Sequence, residues 1–171
     1  MNLTEAIAMA LDFERKVRDH YHRYGKTIVD PVGRNVFAAL ANEEQGHVHY
    51  LEHCLSEWKR TGKVPAVSMK SVLPKGVRWI EAARKNFSGR AESRIATAGE
   101  IDALKIALQF EKDADSFYRR LVRELPADQQ ELFAKFLSIE DGHLELVQAQ
   151  LDSVLGTGFW FDVMEFRLET E

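Results

Sequence analysis

The sequence predicts an all-α fold, an antiparallel four-helix bundle with a long crossover between the second and third helices. Three observations carry that prediction. Four long segments repeat apolar residues with the helical period, strand signals are nearly absent, and the two halves of the chain resemble one another.

The first helix runs from about Leu3 to Tyr24. Asn2 stands where a cap belongs, and Glu5, three residues on, completes a capping-box spacing. The second follows Asp30, a capping residue type, and Pro31, which suits the first helical position. It continues to about Thr61, just before Gly62. The third opens on Thr97 with Glu100 in capping-box spacing and reaches about Glu124. Pro126 permits a short turn into a fourth helix that ends near Leu155, before Gly156. Short connections join one to two and three to four, so each of those pairs should lie antiparallel. The stretch between the second and third helices is too long for a turn and contains one short helical candidate, Val77 to Asn86. It reads as a crossover carrying its own surface helix. Beyond the bundle, residues 156–171 hold the aromatic run GFWF, which reads as a tail covering core or a dimer contact.

Composition narrows the function classes. With 171 residues, 45% of them hydrophobic, the chain can bury one core as a single domain spanning 1–171, its bundle covering about 3–155. A net charge of −4, mixed in sign, advertises neither nucleic acid nor an anionic membrane. One cysteine, Cys54, excludes an intrachain disulfide framework and paired CxxC metal knuckles, and it suits a reducing cytoplasm. The sequence has no apolar run long enough to span a bilayer and no signal-peptide pattern at its start.

The internal repeat locates the chemistry. ALDFERKVRDHY in the first helix aligns with ALQFEKDADSFY in the third at a spacing of 97. The alignment pairs Ile7, Ala10, Glu14, Val17 and Tyr21 with Leu104, Ala107, Glu111, Ala114 and Tyr118. Both glutamates therefore fall on an apolar stripe. At a spacing of 96, Phe37, Glu44, Gly46, His47, Leu51 and Leu55 match Phe133, Glu140, Gly142, His143, Val147 and Leu151. One ExxH means little in a chain with six histidines. Two of them, one on the second helix of each repeat and each with a lone inward Glu on the preceding helix, mean more.

Residues three apart share a helix face, so the Glu and His of ExxH can grip one ion from one backbone. Glu14, Glu44, His47, Glu111, Glu140 and His143 thus form a six-ligand set of the kind found in dinuclear carboxylate bundles. Four carboxylates against two divalent cations sum to zero charge. Oxygen donors with two imidazoles suit Fe or Mn, and Zn can occupy the same set. The absence of thiolates argues against structural zinc.

Other features have plainer readings. Glu43, one residue off the inward face, is expected to be solvated or to stand behind a ligand. Tyr21 and Tyr118 are candidate catalytic residues that would bond metal ligands or oxygen species, with satisfied core tyrosines as the alternative. Gly46 and Gly142 suggest close approach of a neighbouring backbone. His49 and His53 read as exposed polars, His20 and His22 lack a supporting constellation, and Cys54 reads as an inert thiol.

On the paired E…ExxH motifs and their repeat, residues 3 to 155 resemble the ferritin-like superfamily, and within it the rubrerythrin-type di-iron domain. The resemblance implies two Fe ions per chain. Glu14 and Glu111 would be the ligands from helices one and three, and Glu44 and Glu140 would bridge. His47 and His143 would sit on opposite ions. It implies an oxidoreductase that reduces hydrogen peroxide or dioxygen, or, as in ferritin relatives, a ferroxidase or iron buffer. Two departures stand out. A single cysteine cannot build the rubredoxin-like domain of rubrerythrins, so electrons would come from a separate rubredoxin-like donor. Position 114 is Ala where rubrerythrins tend to carry a further glutamate, which brings the set closer to ferritin or bacterioferritin. A homodimer paired along its helices is expected, and a metal-free helical interaction module is the remaining alternative.

Overall fold

In the structure, a computed structural model, residues 1–29, 31–65, 69, 71 and 97–155 are described. They form four α-helices and, among the described residues, no strand: α1 (Leu3–Gly25), α2 (Pro31–Thr61), α3 (Ala98–Glu124) and α4 (Ala127–Val154). Asp30, the crossover helix expected over Val77 to Asn86, and the aromatic tail 156–171 lie outside the described residues.

The caps fall where the residue types place them. The Asn2 side chain accepts from the Glu5 N–H at 2.9 Å, and the Glu5 carboxylate accepts from the Asn2 N–H at 2.9 Å, closing the capping box of α1. Thr97 Oγ1 accepts from the Glu100 N–H at 3.2 Å to start α3. Gly62, at φ +68°, takes the left-handed conformation that ends α2, its N–H bonded to Trp58 O at 2.8 Å. Leu125 turns extended, and Pro126 precedes the first residue of α4.

Helix α1 packs along α2, and α3 along α4. Arg18 reaches Gln45 while Arg15, a turn earlier, reaches Glu52, so α1 and α2 run antiparallel. Phe13 stacks on Phe117 and His20 meets Phe110 edge-on, which makes α1 and α3 antiparallel as well. The chain therefore repeats about an approximate two-fold axis that exchanges α1 with α3 and α2 with α4.

The core is divided. One apolar cluster holds Val17, Tyr21, Phe37, Leu40, Leu104 and Leu146. Another holds Ile7, Leu51, Tyr118, Leu121, Phe133 and Phe136. Each takes residues from all four helices, and between them lies a layer of glutamates and histidines.

Gly46 corrects an expectation. It is exposed, and a Cβ built on it meets nothing within 4 Å, so no backbone approaches it. The close approach occurs at Gly25 instead, where a Cβ would stand 3.2 Å from Phe37 Cβ at the α1–α2 turn. Gly142, the partner of Gly46 in the repeat, is buried. Among the described residues, no helix is long and apolar enough to cross a membrane.

Candidate metal centre

Glu14, Glu44, His47, Glu111, Glu140 and His143 all lie in the polar layer, none more than 2% exposed. Leaving so many ionisable groups in an apolar core is costly unless something compensates them. Each helix contributes through its periodicity: Glu14 and Glu111 occupy the apolar stripes of α1 and α3, and the two ExxH pairs place their members one turn apart on α2 and α4.

Both imidazoles turn Nδ1 toward the carboxylates. His47 Nδ1 is 2.9 Å from Glu14 Oε2, 2.9 Å from Glu44 Oε2 and 3.3 Å from Glu140 Oε1. His143 Nδ1 is 2.9 Å from Glu44 Oε1, 3.6 Å from Glu140 Oε2 and 3.9 Å from Glu111 Oε2. The rings lie nearly parallel, 10° apart, with centroids separated by 5.4 Å.

Two groups of four result, Glu14, Glu44, His47 and Glu140 on one side and Glu44, Glu111, Glu140 and His143 on the other. In each, one ligand-type atom per residue lies within 4.8 Å of all the others. Glu44 and Glu140 belong to both.

The donor set fits metal ions in spacing and in its unmet valences. Around a first-row divalent ion with bonds of about 2.1 Å, ligand atoms at right angles lie about 3.0 Å apart and tetrahedral ones about 3.4 Å. The separations around each Nδ1 straddle that range. Several buried inward atoms, Glu44 Oε1, Glu111 Oε2, Glu140 Oε1 and His143 Nδ1, make no hydrogen bond of proper geometry despite their crowding. An orphaned lone pair aimed at a shared centre is what a cation would satisfy.

The electrostatics point the same way. Burial, reinforced by repulsion from Glu44 and Glu140, pushes the Glu14 carboxyl well above its usual range. Burial does the same for Glu111, against the attraction of His143. Burial also disfavours charge on Glu44, yet His47 and His143 together hold its carboxyl well below the usual value. Both imidazoles are pushed well above theirs: burial opposes the shift, but Glu44 with Glu14, and Glu44 with Glu140 and Glu43, outweigh it. Without cations, the layer is held together by protons.

The two tyrosines touch the cluster across the two-fold. Tyr21 donates to Glu111 Oε1, and Tyr118 donates to Glu14 Oε1. The tyrosine of each repeat thus secures the glutamate of the other. Burial, with the adjoining carboxylate next, keeps both phenols protonated far above their usual range.

Glu43 lies deeper than its place off the inward face suggested. It is 9% exposed, and its Oε2 stands 3.8 Å from His143 Nε2. Together with ring nitrogens of His47 and His143 it forms a third close group. The signal was present, because Glu43 is four residues before His47 and so shares its stripe. Gln150, seven after His143, and Glu100, eleven before Glu111, are buried on the same stripes. His20 is buried too, its Nε2 bonded to Ala103 O at 3.1 Å, away from the cluster. His22, His49 and His53 are exposed and Cys54 is buried. Comparison with family models, curated proteins and solved structures gives no match for this chain.

Proposed function

We propose that the chain is a dinuclear metal protein, a rubrerythrin-like oxidoreductase of ferritin-like fold that reduces hydrogen peroxide or dioxygen at the bundle centre. The observation that carries this reading is the membership of Glu44 and Glu140 in both four-residue groups. A carboxylate shared by two groups could serve an ion in each, and two such carboxylates would hold a pair of ions as one unit. Oxygen and imidazole donors without thiolate favour iron or manganese over structural zinc.

When bound, a pair of ferrous ions supplies two electrons, one from each, so that hydrogen peroxide with two protons leaves as two waters. The chain's own residues set the conditions. Glu44 and Glu140 would hold both ions, His47 and His143 would each hold one of them, and Glu14 and Glu111 would complete the charge balance. Tyr118 and Tyr21 restrain those last two carboxylates by hydrogen bonds from the far repeat. The apolar clusters above and below exclude bulk water. Electrons for a second turnover would come from a separate rubredoxin-like donor, since one cysteine cannot supply the four thiolates of a rubredoxin-type iron site.

The test is Glu44→Ala. Metal analysis should find one or both ions lost, and peroxide should no longer oxidise the reduced protein. Two ions per chain and full oxidation in that variant would end the proposal.

A specific observation favours a second reading, a ferroxidase or iron buffer. Ala114 is buried in the core at the position where a seventh ligand would stand, which leaves the six-ligand set. That reading predicts iron uptake well above two per chain during aerobic loading, whereas a peroxide-reducing centre saturates at two.

A further inference from the structure

The approximate two-fold that relates the halves of the site is broken at one place beside the histidines. Glu43 on α2 corresponds, at the spacing of 96, to Ile139 on α4. Both positions are buried. On one side, therefore, a carboxylate stands behind the imidazole of the other repeat: Glu43 Oε2 is 3.8 Å from His143 Nε2. Neither His143 Nε2 nor His47 Nε2 makes a hydrogen bond among the described residues, so what sets His143 apart is the carboxylate standing at ion-pair distance from it. On the other side, the edge of the His47 ring packs against Phe136, with centroids 5.2 Å apart, and the repeat partner of Phe136 is Leu40. Glu43 groups with ring nitrogens of both histidines within 4.8 Å, but it stands 3.8 Å from Nε2 of His143, while the phenyl ring of Phe136 packs against His47.

That difference matters for a coordinating histidine. When Nδ1 binds a cation, Nε2 carries the proton, and an acceptor for that N–H fixes the ring and makes it a stronger donor. Removing such an acceptor typically weakens metal affinity about 10- to 100-fold. Glu43 is placed to become that acceptor for His143, closing from 3.8 Å once Nδ1 holds an ion, whereas the ring of His47 packs against Phe136.

Building on the dinuclear reading above, we propose that the two halves of the centre are inequivalent. The half formed by Glu44, Glu111, Glu140 and His143 takes up its ion first and more tightly, because Glu43 acts as a positioning residue behind His143. The half formed by Glu14, Glu44, Glu140 and His47 fills second.

Titration of the metal-free full chain with Co2+, followed by visible absorption and equilibrium dialysis, tests this. The wild type should bind two Co2+ in two resolved steps. Glu111→Gln should weaken the first step, and Glu14→Gln should leave the first and weaken the second. Glu43→Gln, nearly isosteric, should lower the first-step affinity about 10- to 100-fold while leaving the stoichiometry at two.

Two Co2+ bound with Glu14→Gln and Glu111→Gln behaving alike, or a Glu43→Gln isotherm superimposed on the wild type, would overturn the inequivalence and leave the dinuclear reading intact. Loss of a whole equivalent in Glu43→Gln would make Glu43 a ligand and overturn its positioning role. No Co2+ bound by the wild type would overturn both readings.

Discussion

Tyr118 and Tyr21 show how single residues make the polar layer tolerable. Each phenol is fully buried and gives its only proton to a glutamate contributed by the other repeat. Tyr118→Phe removes one donor and leaves a buried Glu14 oxygen without it, a loss of about 1–3 kcal/mol for an unsatisfied buried polar atom. Urea unfolding of the chelator-treated protein should show that decrease. Unchanged stability would mean that the carboxyl finds another partner. The same substitution frees Glu14 to move, so the ion nearest it should exchange faster in a chelator-competition assay.

Among the helices, α2 carries the densest chemistry and also a weak point. Gly46 lies mid-helix between Glu44 and His47, exposed, with open space where a Cβ would stand. Nothing holds glycine there sterically, and alanine is favoured in a helix interior by about 1 kcal/mol. Gly46→Ala should therefore raise the unfolding free energy by about that amount without altering metal content, as chemical denaturation and metal analysis would report. At Gly25, by contrast, Phe37 Cβ sits 3.2 Å from the missing Cβ, so Gly25→Ala gains the same helix preference only to the extent that Phe37 gives way by a few tenths of an ångström.

Sequence and structure agree best where local physics decides. Caps at Asn2 and Thr97, the stop at Gly62 and the apolar stripes are short-range features, and each is legible without a partner helix. The convergence of the six inward polars was legible too, because the repeat transmits long-range information through the sequence. The surroundings of Gly46 were not, since a recurring glycine says nothing of what lies opposite it, and Gly46 faces water. Glu43, four residues before His47, is expected either in water or behind a ligand, and the packing of α2 against α4 decides for the second by bringing His143 to it.

For the whole molecule, the polar layer couples folding to protons and to cations. Glu14 and Glu111 have carboxyls raised above their ordinary value of 4.5, and His47 and His143 have imidazoles raised above 6.5. Between the ordinary and the folded value the folded chain keeps a proton that the unfolded chain has lost. Stability of the metal-free protein must then fall as pH rises, from about 4.5 for the glutamates and from about 6.5 for the histidines. Glu44 acts in the opposite sense, but its window lies below 4.5, where its depressed carboxyl begins to protonate. Cations reverse the trend because they bind only the deprotonated ligands. They add about 4 kcal/mol when present at a thousandfold excess over their dissociation constant. Melting curves at about pH 5.5 and pH 8, with and without a chelator, should show the metal-free protein losing stability toward the higher pH. The interval between metal-free and metal-loaded melting temperatures should widen over the same range, with protons released as the metal binds. Parallel pH profiles for the two forms would mean that the buried glutamates and histidines do not share their charge with a bound ion.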